Sequence, residues 1–263
     1  MKVLLSLALV LCCSLAQAAI KTQEIPYTSQ DGSKLIGYYA YDDAIKGARP
    51  GVIVVHEWWG LNDYAKRRAR ELAALGYSAL AIDMYGEGKH TEHPKDAMAF
   101  MQAAMKDSAA SNERFDAGLA LIKKQPQTNP DKVAAIGYCF GGSVVLDAAR
   151  RGEPLAGVVT FHGGLATKSP ATPGSVKAPL LIEHGAADSM VTPQQVADFK
   201  KEMDGAGADY KFVSLAGAKH GFSNPDADRL SHGDHGGPDI GYNAAADKSS
   251  WSDMQAFLKK VFG

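Results

Sequence analysis

Cys139 stands between two glycines in Gly137-Tyr138-Cys139-Phe140-Gly141, with a short apolar run (Val133 to Ile136) before it and a helix-favouring run (Ser143 to Arg150) after it. Strand, abrupt turn and helix with a nucleophile at the tip make up a nucleophile elbow, here in the form G-x-C-x-G. So tight a turn strains the backbone, and side chains at positions 137 and 141 would collide with it. Cys139 is therefore expected to stand above the sheet, where the positive end of the following helix suits a nucleophilic thiolate. A dinucleotide-binding turn would need G-x-G-x-x-G, and no glycine lies two residues after Gly137. A lone cysteine is ordinarily a buried structural residue; the flanking glycines reverse that expectation.

A thiol nucleophile needs a base, and the base needs an acid to orient it. Active-site side chains of a parallel sheet collect at the carboxyl ends of its strands, and an elbow of this kind is followed along the chain by acid and then base. His220, in Gly217-Ala218-Lys219-His220-Gly221-Phe222, is the histidine that meets both conditions. Asp188, in the turn after the preceding strand, supplies the acid, whereas its rival Asp209 begins a strand and falls on the wrong side of the sheet. His220 would take the thiol proton and later protonate the leaving group, with Asp188 fixing its tautomer. His56, His162 and His184 also follow strands and are expected to hydrogen-bond behind the catalytic groups; His90, His93, His232 and His235 read as loop positions. His232-Gly233-Asp234-His235 has metal-ligand residue types, but its glycines give no rigid frame. No metal and no cofactor are expected.

The elements that must position these groups follow from periodicity. Gln23 to Thr28 and Leu35 to Tyr41 alternate around Ser29-Gln30-Asp31-Gly32-Ser33, the pattern of an antiparallel hairpin. Gly51 to Val55 is continuously apolar, as in a parallel strand buried on both faces. Leu61, Tyr64, Ala65, Ala69, Leu72 and Ala73 then recur at helical spacing, with Asn62 as N-cap and Gly76 as stop. The cations Lys66, Arg67, Arg68 and Arg70 beside that stripe are expected to form a solvated face. Strands are expected at Tyr77 to Ile82, Val133 to Ile136, Gly157 to Phe161, Pro179 to Glu183 and Tyr210 to Leu215. Helices are expected at Lys95 to Lys106, Asn112 to Lys124, Ser143 to Arg150, Pro193 to Asp204 and Lys248 to Val261. Gly86-Glu87-Gly88-Lys89 lacks the first glycine and the final Ser or Thr of a phosphate loop. Such alternation predicts an α/β fold with a mostly parallel sheet, an N-terminal antiparallel hairpin and helices on both faces.

Of 263 residues, 28 are Lys or Arg and 29 Asp or Glu, a balance that gives no reason to expect a nucleic-acid partner. Met1 to Ala18 carries Lys2, an apolar run from Val3 to Leu15, and Ala16-Gln17-Ala18, the features of a cleaved signal peptide. The run is shorter than the ~20 residues that cross a bilayer. Residues 19–263 are then expected to form one domain of an exported protein, periplasmic or secreted, without a membrane anchor in its mature form. Cleavage removes Cys12 and Cys13, so Cys139 remains as the sole thiol and no internal disulfide can form.

Four stretches together carry a resemblance: His56-Glu57-Trp58-Trp59-Gly60 after the third strand, Gly137-Tyr138-Cys139-Phe140-Gly141-Gly142 at the elbow, the turn holding Asp188, and the turn holding His220. Over nearly the whole mature chain the sequence resembles the dienelactone hydrolase family of α/β-hydrolases. The resemblance implies a triad of Cys139, His220 and Asp188 and an oxyanion hole from the backbone N–H groups of Trp58 and Phe140. It also implies Glu57 as partner of the resting thiol. The implied activity is hydrolysis of a small-molecule ester or lactone through an acyl-enzyme, and the protein is separately expected to be a monomer. Family members that cleave dienelactone bind its carboxylate with arginines, one just after the catalytic histidine; Gly221-Phe222-Ser223-Asn224 contains none. The competing expectation is a binding or redox-sensing protein on a retired hydrolase scaffold.

Overall fold

The computed structural model describes residues 20–231 and 239–263. Met1 to Ala18 and His232-Gly233-Asp234-His235 lie outside the described residues. The chain enters its sheet as the expected hairpin: β1 (Ile20–Thr28) and β2 (Lys34–Asp42) pair antiparallel from Ile20–Asp42 to Thr28–Lys34. Asp31 closes the turn by accepting the Ser33 N–H at 2.9 Å, and Gly32 takes φ +81°.

Six further strands follow: β3 (Arg49–Val55), β4 (Ser78–Ile82), β5 (Thr128–Tyr138), β6 (Val158–Phe161), β7 (Leu180–Gly185) and β8 (Tyr210–Leu215). Their order across the sheet is β1-β2-β4-β3-β5-β6-β7-β8, with β2 antiparallel to β4 and every later pair parallel. On one face α1 (Asp63–Ala74) and α7 (Ala244–Phe262) cover Val52, Val54, Ala79 and Ile136. On the other α3 (Ser108–Lys123), α4 (Phe140–Arg150) and α5 (Pro193–Ala206) cover Ile53, Val55, Leu80 and Ala135. α2 (Pro94–Lys106) and the short α6 (Ala227–Ser231) add Ala97, Ala104 and Leu230 to this second core. Cover on both faces is why the central strands lack alternation.

Several boundaries depart from the expected ones for local reasons. β5 starts at Thr128 because pairing with β3 resumes at Arg49 and Pro50 across a register shift. α4 starts at Phe140, three residues earlier than propensity suggests, since Gly141 and Gly142 are made helical by packing. No sequence signal marked α6. Asn62 caps α1 as expected, accepting the Ala65 N–H at 3.3 Å, and Gly76 follows the helix with φ +94°.

The solvated-face reading of the α1 cations fails at Arg68, which is buried. Its guanidinium donates to Asp247, to Glu71 at 2.9 Å and to the Ser223 carbonyl at 2.8 Å, and lies 4.8 Å from the Trp251 ring. Spacing placed it on the apolar stripe, four residues after Tyr64; complete pairing and an aromatic face make its burial tolerable. Gly86-Glu87-Gly88 closes on a carboxylate of its own chain. Asp83 accepts the N–H groups of Tyr85, Gly86 and Gly88, each at 2.8 Å. That leaves no cradle for an external phosphate.

Glu183 sits in the middle of β7 with no exposed surface, and among the described residues neither carboxylate oxygen has a hydrogen-bond partner. Burial, with a contribution from Asp253 and against Lys211, pushes its pKa from 4.5 up to about 8. The folded chain therefore prefers the neutral acid. Its contribution to stability is full below the unfolded-state value near 4.5 and is lost as pH rises toward 8. Glu183→Gln should flatten that decline and be more stable than the parent at pH 9 but not at pH 4, read from urea melts. Equal slopes in the two proteins would contradict an unpaired buried acid.

Candidate active site

The elbow is built by backbone approaching backbone. Cys139 adopts φ +52° and ψ −116°, a conformation costly for a residue with a Cβ, and α4 begins immediately after it. A Cβ on Gly137 would fall 2.1 Å from the Gly141 carbonyl oxygen, and one on Gly141 would fall 2.3 Å from that of Val55. Gly142 likewise lies against Thr160 and Gly163. The Cys139 N–H donates to the Phe161 carbonyl at 3.0 Å and the Gly141 N–H to the His56 carbonyl at 3.1 Å, so the turn is tied to β6 and to the end of β3. Cys139 is left half-buried at the helix N-terminus, with its thiol free.

The turn after β3 presents Glu57 and Trp58. His56 fixes it, donating from Nδ1 to the Glu57 carbonyl at 2.6 Å and accepting the Met84 N–H on Nε2 at 3.2 Å. A backbone N–H can only donate, so His56 is the neutral Nδ1–H tautomer; burial accordingly holds its pKa below the ordinary value. Tyr85 donates to the Trp58 carbonyl at 3.0 Å while its ring packs 5.5 Å from that of Phe140. Among the described residues, the N–H groups of Trp58 and Phe140 make no hydrogen bond, which leaves both able to receive a negative oxygen.

Beyond β7, Asp188 turns back with its N–H on the Gly185 carbonyl at 3.0 Å. Beyond β8, His220 is held by the Gly241 N–H, which donates to its carbonyl at 3.0 Å. The two side chains meet: His220 Nδ1 lies 2.9 Å from Asp188 Oδ2, both buried. Among the described residues His220 Nε2 has no hydrogen-bond partner within the usual distance, and the Cys139 thiol lies beside it. Burial opposes a charge on the imidazole, but Cys139 beside it and the bond to Asp188 outweigh burial and push its pKa up to about 10. Asp209, the rival acid, is exposed at the start of β8.

His162 and His56 make the hydrogen bonds expected of them; His184 does not. His162 Nε2 bonds to Ser223 Oγ at 2.8 Å, and its ring meets that of His220 edge-on at 5.1 Å. His184 packs on Phe212, and its Nδ1 has no hydrogen-bond partner among the described residues. His90 and His93 are exposed loop residues.

Sequence reasoning missed the loop after His220. Ser223 Oγ also meets Tyr64 OH at 2.7 Å, and Asn224 Nδ2 donates to Glu57 Oε2 at 2.6 Å. Among the described residues no hydrogen bond joins Glu57 to Cys139. Burial pushes Glu57 up to about 7, with Asn224 and His220 pulling the other way. A cavity of about 290 Å³ opens beside Asn224, lined also by Tyr64, Lys66, Glu92 and Arg229. Its cations are paired, Lys66 with Glu24 at 2.8 Å and Arg229 with Glu92 at 2.9 Å.

Known proteins share this architecture. The family model described as "Dienelactone hydrolase family" matches residues 36–262. A solved structure, the dienelactone hydrolase-like promiscuous phosphotriesterase P91 from metagenomic libraries, is 36% identical with a TM-score of 0.84, covering 93% of this chain and all of the other. A second, titled m3DLH, is 35% identical with a TM-score of 0.85 over the same shares. Protein usf of Aquifex pyrophilus is 28% identical over 235 residues, 88% of this chain and 95% of its own. The chain belongs to the dienelactone hydrolase family and is a hydrolase with the α/β-hydrolase fold.

Proposed function

We propose that the mature chain is an exported, monomeric hydrolase of small, uncharged esters or lactones that works through an acyl-enzyme on Cys139. The observation that carries this reading is the state of His220: one ring nitrogen is bonded to Asp188 and the other lies open next to the thiol. A base so oriented serves proton transfer.

In the first half-reaction His220 Nε2 takes the proton of the Cys139 thiol, Sγ attacks the carbonyl carbon and the carbonyl electrons move to oxygen, where the N–H groups of Trp58 and Phe140 receive the charge. As that oxygen collapses back, the ester C–O bond breaks and His220 Nε2 gives its proton to the leaving oxygen. With a lactone the leaving group stays attached to the acyl chain. Water then attacks the thioester carbon and loses a proton to His220, the C–S bond breaks, and His220 passes that proton to the departing sulfur, so the resting thiol is restored. Asp188 keeps Nδ1 protonated throughout. Glu57 is the partner that restrains the resting thiol until substrate enters.

The charge state of the surroundings supports uncharged substrates. Arg68 is saturated by Asp247, Glu71 and Ser223, and the cations of the neighbouring cavity are paired with Glu24 and Glu92. In the cavity beside Asn224 a substrate carboxylate would meet Asp226 and Glu92 and, among the described lining residues, no lysine or arginine without an acidic partner.

A panel of lactones, aryl esters and one phosphotriester, each neutral or carboxylate-bearing, tests this with the mature protein. Neutral lactones or esters should turn over best. Cys139→Ala should lose activity by roughly a millionfold, and Asp188→Asn by on the order of 10⁴, with both circular dichroism spectra unchanged. Undiminished turnover by Cys139→Ala would remove the thiol from the reaction. Export is checked separately: the secreted product should begin at Ala19, and a soluble cytoplasmic product retaining Met1 would contradict it.

If Glu57 restrains the resting thiol, Glu57→Gln should alkylate faster with iodoacetamide at Cys139 near neutral pH and turn over more slowly. Labelling no faster than in the parent, followed by mass spectrometry on folded protein, would remove Glu57 from that role.

A further inference from the structure

Glu57 and Asn224 lie far apart in sequence and meet in the site through a 2.6 Å hydrogen bond between two buried side chains. The direction of that bond is set by a third group. Asn224 Oδ1 accepts the Asp226 N–H at 3.0 Å, and a backbone N–H has only a proton to offer, so the amide NH₂ must face Glu57. The backbone of Asn224 is closed at both ends, its N–H on the Gly221 carbonyl at 2.9 Å and its carbonyl under the Ala227 N–H at 2.9 Å. One residue earlier, Ser223 is pinned by Arg68 at its carbonyl and by Tyr64 and His162 at its hydroxyl. The segment that carries His220 is thus rigid where it reaches Glu57.

We infer that Asn224 is a positioning residue: its amide fixes one carboxyl oxygen of Glu57 to the loop that carries His220, so that the placement and ionisation of Glu57 are coupled to the catalytic histidine. The inference deepens the hydrolase reading above and rests on it for the coupling to turnover. An amide that donates to a carboxyl oxygen favours the ionised form, and a neutral donor does so without cancelling the charge. The groups facing Glu57 are His220 and Arg68, which favour ionisation, and Asp226, which opposes it; the neutral Tyr64 faces it as well. With burial opposing ionisation most strongly, their balance leaves Glu57 titrating at about 7.

The experiment follows Glu57 itself. Infrared spectra of the folded protein, recorded from pH 5 to 9 and differenced against Glu57→Gln, isolate the carboxylic-acid stretch of this one side chain. The same difference is taken for Asn224→Ala and Asn224→Asp, each against its own double variant with Glu57→Gln. In the parent the midpoint should lie at about 7. Loss of the donor in Asn224→Ala should move it up by about one pH unit, and the like charge in Asn224→Asp should move it further. Asn224→Asp has nearly the shape of the parent residue and carries the test if Asn224→Ala does not fold. On the best neutral substrate, the acid limb of the kcat profile should move by the same amount, a shift that a merely structural role would not produce.

An unmoved infrared midpoint in both variants overturns the role of Asn224, even where activity falls. A midpoint that moves while the rate limb stays fixed overturns the coupling. If no substrate is hydrolysed by any form, the hydrolase reading fails and the coupling to turnover with it, while the infrared midpoint still decides whether Asn224 sets Glu57.

Discussion

The site depends on one steric constraint: the backbone of the elbow lies so close to its neighbours that three positions admit no Cβ. Gly137, Gly141 and Gly142 press against the elbow's own carbonyl, the end of β3 and the end of β6. That contact brings the thiol of Cys139, the start of α4 and the Glu57–Trp58 turn into one small volume. Hydrogen bonds from Cys139 to Phe161 and from Gly141 to His56 lock it. The unfavourable φ of Cys139 is held in place because the whole sheet over-determines it. Without the approach, Asp188 and His220 would still sit at their strand ends, but the thiol of Cys139 would not reach them.

A second layer of organisation is polar and buried. Arg68, Tyr64, Ser223 and His162 form a connected set of hydrogen bonds beneath the loop that carries His220. Each member is costly to bury alone and tolerable in company, and such networks hold one arrangement in place of many. Their effect falls on His220, whose ring is braced by His162 on one side and by Asp188 on the other. Burial keeps His162 neutral while its neighbour His220 favours the charged form, so two adjacent imidazoles serve different ends because their partners differ.

Much of this was legible in sequence, and the boundary of legibility has a physical cause. The elbow could be read because glycine spacing reports a steric requirement directly. The pairing of Asp188 with His220 could be read because chain order and strand ends restrict which carboxylate and imidazole can meet. Arg68 was misjudged because its charge was weighed above its place on the stripe of Tyr64, Ala65, Ala69 and Leu72; burial of an arginine depends on acceptors supplied by Ser223 and Asp247, distant in sequence. Asn224 carried no signal at all. An amide four residues after a histidine is unremarkable until the fold brings Glu57 to it. His184 ends a strand as His56 and His162 do, but its ring meets Phe212 and no donor or acceptor among the described residues reaches its Nδ1.

The central claim is that Cys139 is acylated in the course of turnover. It is tested most directly by mixing the protein with excess neutral lactone, quenching in acid within the first turnovers, and mapping the adduct by peptide mass spectrometry. Covalent attack with ring opening predicts that the peptide containing Cys139 gains the full mass of the lactone, and that the adduct disappears as substrate is exhausted. Turnover with no adduct at any quench time, or an adduct confined to another residue, would contradict the account.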